Sequence, residues 1–256
     1  MVRLQGADLF PFLQGLVTND VFLLSEERES IYTMMLNSQV DITEVSDEYR
    51  TFAALPSEEL GKRLWLPFKQ GEVTLAHPDP RLEQFGWRIV ARDGSEVLAA
   101  IDPGCEIETR EEREYHIQRY KVGLPEGTVD LPPGNCLPLE SNLVFHDGVS
   151  FTKGCYIGQE LTARSYHTGV IRKRLAPIEF ESVPENIQSG VTIETEDTKK
   201  NAGKYRNSVD RFGLGLIRLA EMKKRLVIPS SDEHLYSVKA HIPSWWPQEG
   251  EITVQQ

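Results

Sequence analysis

Apolar residues recur at helical spacing over residues 9–17, at Leu9, Phe10, Phe12, Leu13, Leu16 and Val17, and predict an amphipathic helix. Asp8 is placed to cap it and Thr18-Asn19-Asp20 to stop it. Short apolar runs at 2–4, 31–36, 51–55 and 87–91 read as strands, the last one bounded by Gly86 and by Asp93-Gly94. A charged stretch over 106–122 contains Tyr115, Ile117 and Tyr120 and predicts a helix closed by Gly123. The proline- and glycine-bearing residues 124–138 predict a rigid, non-repetitive connector. Beyond Gly169 the pattern turns to strands, at 170–180, 191–195, 203–206, 212–219 and 235–241. Such short runs between turn residues predict a small closed or sandwiched β domain. The expected fold class is α+β, with a mixed sheet-and-helix region over 1–165 and a C-terminal β-barrel over 166–256.

Composition narrows what such a protein can do. Lys plus Arg come to 28 and Asp plus Glu to 39, a net charge of −11 over 256 residues. Nucleic acid and anionic membrane surfaces are poor partners for so acidic a chain. No apolar run approaches the ~20 residues that span a bilayer, so membrane insertion is not expected. The opening residues show neither an Arg- and Ser-rich leader nor a secretory apolar stretch. The cysteines are Cys105, Cys136 and Cys155, an odd and scattered set that argues against a disulfide framework and for a reducing compartment. None is in a C-x-x-C pair, so no self-contained zinc or cluster site is legible.

Candidate chemistry concentrates at residues 150–164, Ser-Phe-Thr-Lys-Gly-Cys-Tyr-Ile-Gly-Gln-Glu-Leu-Thr-Ala-Arg. Gly154 and Gly158 permit turn conformations around Cys155 and leave its thiol uncrowded. Lys153 beside it, and a helix beginning near Gln159-Glu160, favour the thiolate, the nucleophilic and metal-binding form. On residue type alone a cysteine is more often a small buried apolar residue. Between two glycines the functional reading is the better one.

The run Lys153-Gly154-Cys155-Tyr156-Ile157-Gly158-Gln159-Glu160, followed by Leu-Thr-Ala-Arg164, resembles the signature of the YgfZ-type, folate-binding-like proteins related to the glycine-cleavage T-protein (GcvT). Residues 12–20, 122–127, 130–134, 137–143, 169–175 and 242–247 are similar to the mitochondrial iron–sulfur cluster assembly factors of that family. The resemblance implies a T-protein-like first region and a role in maturing [4Fe–4S] client apoproteins in the mitochondrial matrix with an A-type scaffold partner. A [2Fe–2S] cluster takes four protein ligands. Cys155 would supply one, the partner the rest, and Cys105 and Cys136 none.

The T-proteins also imply a second ligand, tetrahydrofolate. Glu140 corresponds to their pterin-contacting glutamate, with Asn142 beside it. A carboxylate can pair with a pterin's N–H donors, and an ordinary turn carboxylate is an equal reading. The alternative function is therefore tetrahydrofolate-dependent aminomethyl transfer. Against the family pattern the chain is shortened by several dozen residues at Gln39–Val40, a stretch that carries the T-protein's catalytic and folate-contacting aspartate. That loss counts against transfer. It is expected to leave apolar surface uncovered in the first region, and a nonfunctional deletion product is the third reading.

Other features have plainer readings. Arg164, His167, Arg172, Lys173 and Arg174 form a basic stretch that could steer an acidic partner, but alternation would put Arg172 and Arg174 on a solvated strand face. Trp245-Trp246 reads as a plug over the β domain rather than a partner anchor. His116 and His146 are isolated and read as structural. No Ser-His-Asp arrangement, Walker loop or dinucleotide glycine fingerprint is present.

Overall fold

The computed structural model describes residues 9–24, 31–33, 49–55, 75–100, 108–232 and 234–247. The expected strand at 2–4, residues 34–36 of the strand expected at 31–36, the Asp8 cap, Cys105 and the Gln39–Val40 junction lie outside the described residues, and the described part of that second strand, 31–33, is irregular rather than extended in a sheet. The elements in order are α1 (Leu9–Gln14), β1 (Tyr49–Ala54), β2 (Leu75–Pro78), β3 (Trp87–Arg92), α2 (Val97–Ala100), α3 (Glu112–Val122), α4 (Gly127–Asp130) and α5 (Gln159–Thr168). Strands β4 (Lys173–Phe180), β5 (Thr192–Thr195), β6 (Asn201–Val209), β7 (Phe212–Arg218), β8 (Leu226–Pro229) and β9 (Leu235–Ala240) follow. The fold is α+β.

Two compact units share the chain: 1–110 with 146–157, and 111–145 with 158–256. In the first, β1, β3 and β2 form an antiparallel sheet in that order. Among its described residues the apolar core includes Ile89, Ala91 and Val97 in one cluster and Leu16, Val17 and Val21 in another. Charge is buried there too. Asp79, 2% exposed, accepts from Arg81 at 2.6 Å and from Arg88 at 3.1 Å. Both arginines hold its carboxyl below the usual range against the opposing effect of burial. Phe10, Phe22, Leu23 and Leu98 are exposed, with Phe10 and Phe22 stacked on each other.

The second unit contains a closed six-stranded barrel in the order β4-β7-β6-β5-β8-β9. Phe180, Ile193, Ile217, Leu226, Ile228 and Val238 fill it. Closure draws strands close enough that a Cβ at Gly203 would collide with the Leu216 carbonyl, which is why glycine stands there. Arg174 departs from the solvated face expected of it. Both faces of β4 are covered, so strict alternation fails, and the side chain is 5% exposed. It donates to Leu139 O at 2.9 Å and Asn142 Oδ1 at 3.3 Å and lies 4.0 Å over the Phe145 ring. Burial brings its pKa down to about 10. Trp246 packs on the barrel core, and Trp245 Nε1 donates to Val122 O at 2.8 Å, as a plug would. α3 begins at Glu112, later than its charge pattern suggests, and ends at Gly123 in the left-handed conformation (φ 81°).

Candidate functional site

The segment 146–157 is held in the first unit by bonds spread along its whole length. Thr18 and Asn19, both buried, stand where α1's apolar pattern gives way to polar residues. Thr18 Oγ1 donates to Gly148 O at 2.7 Å, and Asn19 Nδ2 donates to Asp147 O at 2.7 Å and Tyr32 O at 2.9 Å. From the other side, Ser150 N donates to Thr18 O at 3.0 Å and Ile157 N to Gly15 O at 3.0 Å. Lys153 Nζ donates to Val17 O at 2.8 Å and to Asn19 O at 2.7 Å, and lies 5.1 Å from the Tyr156 ring centre. The sequence reading directs the charge of Lys153 at the thiol; two of its three protons are instead spent on main-chain carbonyls. Burial pulls the lysine's pKa down, and the Asp20 carboxylate pulls it back up.

His146 opens the segment. A carbonyl can only accept, so the 2.7 Å contact with Arg81 O fixes the proton on Nδ1 of a neutral ring. Its ring meets Tyr32 edge-on at 5.9 Å. Burial pushes its pKa down to about 4.

Cys155 is an exposed free thiol on this anchored loop, with Tyr156 buried and Ile157 exposed beside it. Gly154 has no left-handed φ, and a Cβ there would meet nothing within 4 Å, so the backbone does not itself require glycine. Gly158 does use the freedom expected of it (φ 83°), turning the chain into α5. The eight-residue motif is thus divided: Lys153, Gly154, Cys155, Tyr156 and Ile157 belong to the first unit, and Gly158, Gln159 and Glu160, with Arg164 beyond them, to the second.

Glu140 and Asn142 lie in the second unit. Glu140 Oε1 pairs with Lys173 Nζ at 3.2 Å. Asn142, left-handed at φ 62°, donates from Nδ2 to Leu175 O at 2.7 Å while Oδ1 accepts from Arg174. Its amide is committed at both ends to holding β4. Cys136 is a half-buried free cysteine whose pKa burial raises. Among the described residues no three His, Cys, Asp or Glu side chains gather as a metal site. None of the described helices is long and apolar enough to cross a membrane.

The contribution of residues 15–19 to the cysteine loop escaped the reading of the sequence. Its signal is the polar Thr18-Asn19-Asp20 run at the end of an apolar helix, where a helix stop alone accounts for the residue types.

Comparison with known proteins agrees with this architecture. Residues 172–248 match the family model of the CAF17 C-terminal β-barrel domain. The chain is 35% identical to the mitochondrial iron–sulfur cluster assembly factor IBA57 of Mus musculus, over 96% of its own length and 83% of the relative's. The chain belongs to the IBA57 family. The human IBA57 protein is likewise 35% identical over the same shares of both chains, and the Mycosarcoma maydis homologue is 30% identical over 86% of this chain and 63% of its own. The mouse IBA57 alignment runs over 302 positions, more than the 256 residues of this chain, so it opens gaps of several dozen positions here.

Proposed function

We propose that this chain is a mitochondrial iron–sulfur cluster assembly factor in which Cys155 ligates one corner of a [2Fe–2S] cluster shared with an A-type scaffold protein, for delivery to [4Fe–4S] apoproteins of the matrix. The cluster is cargo. The observation that carries the reading is an exposed, unbridged thiol on a loop whose flanks are bonded down, with open space over the neighbouring Gly154. A thiolate is the protein ligand that iron–sulfur clusters use, and one thiol leaves the remaining positions to a partner. A loop already ordered before docking spares the complex that entropy cost.

Anaerobic reconstitution of the chain with an A-type scaffold, iron and sulfide tests this. The wild type should form a heterodimer with visible cluster absorption, and Cys155→Ser should not. A folded wild type that yields no such complex, or a Cys155→Ser variant that yields it equally well, would overturn the reading.

A further inference from the structure

A lysine ammonium is strongly hydrated, and removing it from water is unfavourable unless its protons find fixed acceptors. For Lys153 the acceptors are Val17 O and Asn19 O, two main-chain carbonyls beyond the last turn of α1 that converge on Nζ. The stem carries that charge across from the cysteine loop, and the Tyr156 ring covers it at cation–π distance. We propose that Lys153 is a positioning residue for Cys155: a tethered cation that closes the Val17–Asn19 carbonyl pair and locks the cysteine loop to the first unit.

The proposal rests on the reading of Cys155 as a cluster ligand and adds how that ligand is held. The need for a lock follows from the chain path. Residues 146–157 belong to the first unit, while the residues on both sides, 111–145 and 158 onward, belong to the second. Cys155 stands two residues after Lys153 and two before Ile157, where the chain leaves. Ser150 N and Ile157 N bond through the main chain, contacts that do not depend on which side chains the loop carries. Lys153 adds an ionic clamp that depends on one side chain, placed next to the Gly154-Cys155 pair. Its loss leaves two carbonyls without their cation and the thiol on a longer span, pinned at Ser150 and Ile157.

The test uses the full-length chain with Cys105 and Cys136 replaced by serine and a nitroxide on Cys155. In the parent the label should give an immobilised lineshape. Lys153→Met, similar in length but uncharged, should give a mobile one while the circular dichroism of the chain is unchanged. Lys153→Ala should also be mobile. In unlabelled chains, cluster-complex affinity for the A-type scaffold should fall roughly 10- to 100-fold in Lys153→Met, the range for groups that orient a metal ligand. An immobile label in Lys153→Met or in Lys153→Ala overturns the proposal. Should Lys153→Met fail to fold, Lys153→Arg carries the test: it keeps the charge and should keep the label immobile, and a mobile label there overturns the proposal as well. If the wild type forms no cluster complex, the ligand reading fails while the lineshapes still decide whether Lys153 is the lock.

Discussion

The barrel and the cysteine loop are ordered by opposite means. Inside the barrel, order comes from apolar closure: strands pair with neighbours around a ring, and large side chains such as Phe180 and Ile217 have no exposed surface. Around Cys155 it comes from hydrogen bonds, with carbonyls of Gly15, Val17, Thr18 and Asn19 and the side chains of Thr18, Asn19 and Lys153 lacing two distant stretches of chain. Apolar burial is nondirectional and roughly proportional to area, so it stabilises without fixing any one atom. Hydrogen bonds contribute only about 1 kcal/mol net each but constrain distance and angle. A region that must present a thiol in one place has reason to use the second kind. Substitutions should therefore separate into those that cost stability and those that cost placement.

The largest stability effect belongs to the barrel. Phe180 meets Tyr205 and Tyr236 edge-on at 6.2 and 6.3 Å with none of its surface exposed. Phe180→Ala should destabilise the barrel by about 4 kcal/mol through lost burial and the cavity left behind. Hydrogen exchange of peptides from β4 in native and denaturant-titrated protein would measure it, and a loss below about 1 kcal/mol would mean that closure is not what holds this unit.

The next effect is proton-linked and lies in the first unit. His146 is 2% exposed and neutral, with a pKa lowered to about 4. For a base held neutral by the fold, the unfolded chain binds the proton more tightly. Stability is then fully present above the unfolded value of about 6.5 and drains away as pH falls toward 4, by up to roughly 3 kcal/mol. Asp79 nearby has a lowered carboxyl pKa and loses its contribution only below its ordinary value of 3.8, outside that window. Hydrogen exchange at residues 146–157 should therefore accelerate between pH 6.5 and 4 after correction for the intrinsic rate. His146→Gln, whose amide can still donate to Arg81 O, should flatten that dependence. An unchanged slope in the variant would assign the proton elsewhere.

The sequence disclosed these two regions unequally, for physical reasons. Repetitive strand pattern made the barrel legible: β4, β5, β7 and β9 emerge within a few residues of their limits. β8 went unread because four residues following Lys223-Lys224-Arg225 look like the end of a solvated turn. β6 read too short because a register shift between Tyr205 and Asn207 breaks its alternation. β2, Leu-Ala-His-Pro, has little strand propensity and is a strand through its pairing with β3. The expectation of an uncrowded thiol at Cys155 came from its flanking glycines, and the thiol is exposed. The lacing beneath it was not legible, because Lys153 lies more than a hundred residues from Val17 and Asn19 in sequence and meets them through carbonyls, which every residue possesses. Arg174 misled for a related reason: charge predicts solvent until the partners, here Leu139 O, Asn142 and the Phe145 ring, are known.

The smallest stability effect makes the sharpest division between the two kinds of order. Gly154 needs no positive φ, and the space where its Cβ would stand is open. Glycine raises the conformational entropy of the unfolded chain, so Gly154→Ala should leave the melting temperature unchanged or raise stability by up to about 1 kcal/mol. The folded chain alone gives no reason for glycine at this position. On the proposed cluster-sharing reading a docking partner does, because a methyl group next to Cys155 would occupy space beside the thiol on which the cluster is to be shared. Gly154→Ala should thus be as stable as the wild type or more so, with an unaltered lineshape from a nitroxide on Cys155, yet form less of the cluster-bearing complex in anaerobic titration with the scaffold. Equal complex formation would show that the approach runs over another side of the thiol, and the exposed Ile157 on the far flank of Cys155 would be the next position to change.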